Sequence, residues 1–134
     1  SSMNTDAIAQ QKVQAAGGTF PLAGTGIVEV EVVARPSPSG SPRLAGATVT
    51  MTPATGIGPV YLGLDGYPDA SLTATSEEGG VMFVNVPPGM VQLTITVPGK
   101  TCVKPEDGWP AWSPNATLLP AEPDTLSYSY AFCD

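Results

Sequence analysis

Hydrophobic and polar positions alternate along most of this chain. Val91, Leu93, Ile95 and Val97 alternate with Gln92, Thr94 and Thr96, the period of two expected of a strand with one buried face. Val28, Val30, Val32 and Ala34 alternate with Glu29 and Glu31, and Ala47, Val49 and Met51 with Thr48, Thr50 and Thr52. The pattern predicts strands over 27–34, 47–53, 59–64, 71–75, 81–86, 90–97 and 125–133. The third carries Val60, Leu62 and Leu64; the last places Leu126, Tyr128, Tyr130 and Phe132 on one face. Between 81–86 and 90–97 stands Pro87-Pro88-Gly89. Pro88 presets φ and Gly89 supplies a positive φ, so a type II turn and an antiparallel pair are expected there. Seven strands with frequent turns imply an all-β, seven-stranded antiparallel Greek-key β-sandwich.

Two stretches break the pattern. Residues 4–26 read as a leader, with Thr5 or Asp6 capping a short helix over Ala7–Ala16 and Gly17-Gly18 ending it. Only Ile8 and Val13 offer an apolar stripe, so docked helix and frayed tether are both open. Ser1-Ser2-Met3 reads as a cloning remnant. The division expected is therefore 1–26 as remnant, helix and linker, and 27–134 as the sandwich. After Gly99, Pro105, Pro110, Pro114, Pro120 and Pro123 interrupt the chain. A long surface loop is expected there, as in the Pro/Ser run 35–43.

Composition narrows the chemistry. There is no histidine, which removes imidazole metal sites, Ser–His and Cys–His catalysis and the commonest general base. No G-x-S-x-G elbow, P-loop or dinucleotide fingerprint occurs. Two-carboxylate acid–base work is what remains of metal-free catalysis. A net charge of −7 with five scattered bases argues against nucleic acid and anionic lipid as partners. No run approaches the apolar length of a membrane span. A membrane connection is expected only through a lipid anchor outside these residues.

Cys102 and Cys133 lack a zinc-ligand spacing. They read best as a disulfide closing the Pro-rich segment, with two buried thiols as the alternative. The disulfide implies an oxidising compartment, hence an exported protein of the cell surface, periplasm or extracellular space. Within that segment lie Trp109 and Trp112. They either cover the end of the sandwich or stack on a sugar ring or protein partner. Glu77, Glu78, Glu106 and Asp107 are expected near one end of the fold. They form either a solvated cluster or a Ca²⁺ site, although no D-x-D-x-D spacing supports the ion. Asn85 is expected to bond the neighbouring turn. Asn115-Ala116-Thr117 matches a glycosylation sequon.

The run Leu44-Ala-Gly-Ala-Thr-Val-Thr50, then Thr73-Ala-Thr75, Gly80-Val-Met-Phe-Val-Asn-Val-Pro-Pro-Gly89 and Val91-Gln-Leu-Thr-Ile95 resembles the carboxypeptidase regulatory-like domains. These are transthyretin-like (prealbumin-like) sandwiches, related to the collagen-binding B-type pilin domains and carried by bacterial surface proteins and lipoproteins. The resemblance spans residues 26–99. It implies a non-catalytic module of adhesion or scaffolding, with a protein or glycan partner and no cofactor. The Lys of the pilin-type isopeptide is missing from Ile27–Ala34. The histidines of the related hydrolases and dioxygenases are missing throughout. The alternative function is a carbohydrate- or small-ligand-binding module using Trp109 and Trp112.

Overall fold

The computed structural model describes residues 6–34, 43–103, 111–113 and 116–133. A helix α1 (Asp6–Ala15) precedes nine strands: β1 (Gly26–Ala34), β2 (Thr48–Thr52), β3 (Ile57–Tyr61), β4 (Gly80–Val86), β5 (Gly89–Thr96), β6 (Cys102–Val103), β7 (Ala111–Ser113), β8 (Ala116–Ala121) and β9 (Leu126–Cys133). They form a β-sandwich. The larger sheet has the order β3-β4-β1-β9-β6 and the smaller β2-β5-β8-β7.

The core between the sheets follows the alternation. Val28, Val30, Val32, Ala47, Val49, Met51, Val91, Leu93, Ile95 and Val97 all belong to it. Each such Val, Leu, Ile or Met side chain, fully buried, stabilises the fold by about 1.5–3 kcal/mol. Polar groups tie the layers. The Tyr61 hydroxyl on β3 accepts a bond from the Val49 N–H on β2 (3.2 Å), so one sheet caps the edge of the other. Buried Thr75 accepts from the Ala47 N–H (2.9 Å) and donates to the Leu44 carbonyl (2.7 Å).

Several local expectations change. Strands 81–86 and 90–97 do not form a hairpin, because β4 and β5 lie in different sheets. Pro87 and Pro88 have no N–H to give a ladder, and the chain turns a corner from sheet to sheet. Asn85, with φ 53°, does not bond that turn. Its side chain accepts from the Thr19 N–H (2.7 Å) and donates to the Thr19 carbonyl (3.0 Å) and Thr25 Oγ1 (3.1 Å), so it holds the leader as a strand backbone would. Gly18 makes this approach possible: a Cβ there would lie 2.6 Å from Asn85 Oδ1 and 2.7 Å from Val84 Cγ2.

Residues 71–75 form turns and bends rather than a strand. Thr75 puts its hydroxyl and backbone into fastening the loop to 44–47. The third strand ends at Tyr61, and Leu64 projects into solvent, 76% exposed. Strand structure also returns after Gly99, in β6, β7 and β8. Pro120 sits in β8 opposite Met90, past the two residues of β8 that pair with β7. Proline is tolerated where no ladder donor is needed. Finally, β1 and β9 run parallel over the whole register from Ile27↔Leu126 to Ala34↔Cys133, whereas the other strand pairs among the described residues are antiparallel.

The last strand shows most about the fold. Leu126, Tyr128, Tyr130 and Phe132 share a face, but it is the outer one. The residues turned into the sandwich are Ser129, Ala131 and Cys133, all buried. Small residues there let β9 sit close under the facing strands, where a large aromatic would leave no room. Ala131→Leu is therefore expected to destabilise the protein by about 1–3 kcal/mol through overpacking, while Tyr130→Ala stays within about 1 kcal/mol. Urea unfolding of the two variants checks this; equal effects would mean that the faces are misassigned.

The outer face of the larger sheet has its own cover. Val13 and Ala16 pack with Ile27, Leu62, Met82 and Val84 in a second apolar cluster, with Phe20, Leu22 and Leu126 at its margin. Helix α1 thus lies over one part of this face. The part further along β1 and β9 carries Glu29, Glu31, Tyr128, Tyr130 and Phe132 in place of aliphatic side chains.

Candidate functional site

The outer positions of β1 are Ile27, Glu29, Glu31 and Val33. In register beside them on β9 stand Leu126, Tyr128, Tyr130 and Phe132. Each acid therefore has a tyrosine as its neighbour. On the other side, β4 sets Met82 against Glu29 and Gly80 against Glu31. Gly80 brings no side chain, and Leu62 closes over it: a Cβ there would lie 2.6 Å from Leu62 Cδ1. From the segment before β2, Arg43 bridges back to Val33 and packs against Gly79, where a Cβ would lie 2.9 Å from Arg43 Cβ.

Glu31 is only 5% exposed. A carboxylate this buried must be paired, and it is. Tyr128 donates its hydroxyl to Glu31 Oε1 (2.5 Å), and Arg43 Nε forms an ion pair with Glu31 Oε2. Arg43 Nη1 reaches Glu78 Oε1 at 3.0 Å. The Tyr128 and Tyr130 rings meet edge to face, centroids 5.1 Å apart. Burial, and then the bond to Glu31, hold the Tyr128 phenol far above its usual range, so it stays a proton donor at any physiological pH.

Glu29 lies one pleat nearer the helix. Burial raises its carboxyl above the usual range; Lys12 of α1 pulls it back and Glu31 adds to the rise. Lys12 also sits over the Tyr67 ring, 5.8 Å from its centroid, and Tyr67 donates to Gln11 (3.2 Å). The folded state thus holds the Glu29 proton more tightly than the unfolded chain does. By linkage, the contribution of Glu29 is fully favourable below its unfolded value near 4.5 and is lost as pH rises through the higher folded value. Glu29→Gln is expected to raise the melting temperature at neutral pH and to leave it unchanged near pH 4. A melting series against pH checks the difference, and a variant less stable than the parent at pH 7 would count against it.

Glu31, Val33, Arg43, Tyr130 and Phe132 line an open groove of about 260 Å³. Tyr130 is 42% exposed and forms one wall. The groove combines an aromatic surface, a guanidinium held by its ion pairs and the buried carboxylate of Glu31. Among the described residues that line it, no nucleophile and base stand together. It is a surface for contact, equipped to stack a ring and to exchange hydrogen bonds.

The residues singled out by sequence fall partly elsewhere. Cys102 and Cys133 lie opposite each other on β6 and β9, with their sulfurs 2.04 Å apart. Glu78 is tied to Arg43, while Glu77 points outward in the turn before β4. Glu106, Asp107 and Trp109 lie outside the described residues, as does Asn115. Trp112 is in β7, the edge strand of the smaller sheet. Among the described residues no three Cys, Asp or Glu side chains gather as a metal site would require. Sequence reasoning passed over Glu31, Arg43, Tyr128 and Tyr130. The available signal was two acids on a strand whose opposite face is Val28, Val30, Val32 and Ala34, combined with aromatics at 128, 130 and 132 of the last strand.

No protein-family model matches the chain, and no curated protein matches it. Among solved structures it is similar to the crystal structure of GBS52, the minor pilin of the Gram-positive pathogen Streptococcus agalactiae. The identity is 14%, the TM-score 0.49, and the match covers 82% of this chain and 44% of the pilin chain. The chain spans less than half the length of that protein.

Proposed function

We propose that this chain is a non-catalytic interaction or scaffolding module of an exported protein, displayed at a cell surface or in an extracytoplasmic space. The observation that carries the reading is the Cys102–Cys133 pair, which joins a two-residue edge strand to the last strand of the fold. Structural disulfides persist in oxidising compartments. The acid–tyrosine cluster supports the non-catalytic part: Glu31 and Glu78 are both occupied by Arg43, and Tyr128 is locked as a donor to Glu31. A sandwich that closes its first strand against its last is a self-contained unit suited to presentation between other domains. The sequence resemblance of residues 26–99 to carboxypeptidase regulatory-like modules agrees with this reading and supplies the same non-catalytic expectation.

Labelling intact cells that make the full-length protein, with a reagent that does not cross membranes, tests the compartment. The protein is expected to be labelled from outside and to yield no free thiol when unfolded without reductant. A protein labelled only after lysis, with two titratable thiols, would overturn the proposal.

A further inference from the structure

We propose that the groove between Arg43 and the aromatic strip of β9 binds a neutral sugar, a pyranose ring at the end or along the length of an uncharged glycan. This rests on the reading of the chain as a surface interaction module and names the ligand class of its site. The chemistry of the lining selects the ligand. Tyr130 and Phe132 are two residues apart on one strand face, about 7 Å along the strand. They offer an apolar surface on which the C–H face of a pyranose can lie. Beside them stands Arg43, held by ion pairs to Glu31 and Glu78, while Glu31 is buried with both oxygens engaged. The guanidinium therefore meets the ligand as a donor, and a sugar hydroxyl can accept from it.

The network is already ordered without a ligand. Glu31 is held by Tyr128 from below and by Arg43 from the side. Arg43 remains 47% exposed. Among the described residues, Nε and Nη1 are its engaged donors, and a guanidinium carries five N–H groups. Arg43 lines the groove and is held there by its ion pairs before anything binds, which favours affinity. The groove, about 260 Å³, is below the size of a drug-sized ligand site and suits one ring.

Charge decides against the other candidates. A net charge of −7 opposes acidic glycans and phosphate-bearing ligands. Arg43 stands in the groove with both nearby carboxylates already paired to it, which opposes a basic side chain from a protein partner. What remains is uncharged and polar, with an apolar face.

The test uses the full chain, isotopically labelled, titrated by NMR with methyl glucoside, methyl galactoside and neutral oligosaccharides of both. Expected are saturable shifts at the amides of Val33, Arg43, Tyr130 and Phe132, and a loss of affinity of about tenfold or more in Tyr130→Ala, whose fold the unfolding experiment above verifies. Trp109→Ala with Trp112→Ala is expected to leave binding unchanged. Shifts confined to residues 109–112, binding that survives Tyr130→Ala, a response only to a basic peptide, or no response to any neutral sugar would each overturn the assignment. Failure here leaves the cell-surface labelling result intact, and failure of the labelling experiment leaves a sugar response intact, so the two readings are separable.

Discussion

Replacing Cys102 and Cys133 together by alanine is expected to lower the stability of the protein by about 3–4 kcal/mol. The sequence separation is 31, and opening a loop of that length returns this much conformational freedom to the unfolded chain in the entropy model of cross-linking. The native structure adds a local reason. Strand β6 is two residues long and pairs with β9 only at Cys102↔Cys133 and Val103↔Phe132. Without the covalent link, two backbone pairings would have to hold the start of a long connection. Both cysteines are also buried in the main core, so alanine leaves a small void there. Denaturant midpoints of the double variant, and of the parent with and without reductant, measure the effect. A loss under about 1 kcal/mol in both comparisons would mean that the link does not hold the fold together.

Arg43→Met is expected to cost about 2–3 kcal/mol, the second-largest effect. Breaking a buried ion pair from one side typically costs about 3–5 kcal/mol, because the remaining charge is left unpaired in a dry place. Here the guanidinium is half in water, which reduces the figure. Glu31 is the partner left behind, with Tyr128 as its remaining donor. Glu31→Met in the same chain should restore most of the loss, since two apolar residues of similar volume remove the unpaired charge. The double-mutant cycle reads the coupling directly. If the double variant is less stable than Arg43→Met alone, Arg43 is holding the fold through packing and not through Glu31.

The sequence was most legible where one strand face meets the core and the other meets solvent. Strands β2 and β5 show clean alternation, and their inward residues are those the alternation selects; β1 keeps its inward valines although both its faces are covered. It was misleading where both faces of a strand are covered. On β9 the larger, more apolar side chains are outside. Alternation alone cannot tell which face of such a strand is the core, because the signal is a period and not a direction. The small residues Ser129, Ala131 and Cys133 are the buried ones. The outer face takes aromatics because α1 and the Glu31–Arg43 network share its cover.

The acid pair on β1 was visible as a pattern and silent as a site. Glu29 and Glu31 read as an ordinary solvated face. Their burial follows from three segments far apart in sequence: a helix at the N-terminus, Arg43 before β2, and tyrosines on the final strand. Gly79 contributes by having no side chain, at a place where a Cβ would lie 2.9 Å from Arg43 Cβ. Such close approaches exist only once the chain is folded.

What the sequence by itself determined is therefore the class of the molecule and its exclusions. Alternating apolar residues dictate strands, frequent glycine and proline dictate turns, and the lack of histidine closes off most catalytic chemistry. Tertiary structure decided which strands share a sheet, that Pro87-Pro88-Gly89 turns a corner instead of closing a hairpin, and which face of β9 is inside. It also assembled Glu31, Arg43, Tyr128 and Tyr130 into one groove. The reason is physical: periodicity is encoded within each segment, whereas pairing, burial and charge compensation depend on which distant segments come to lie against it.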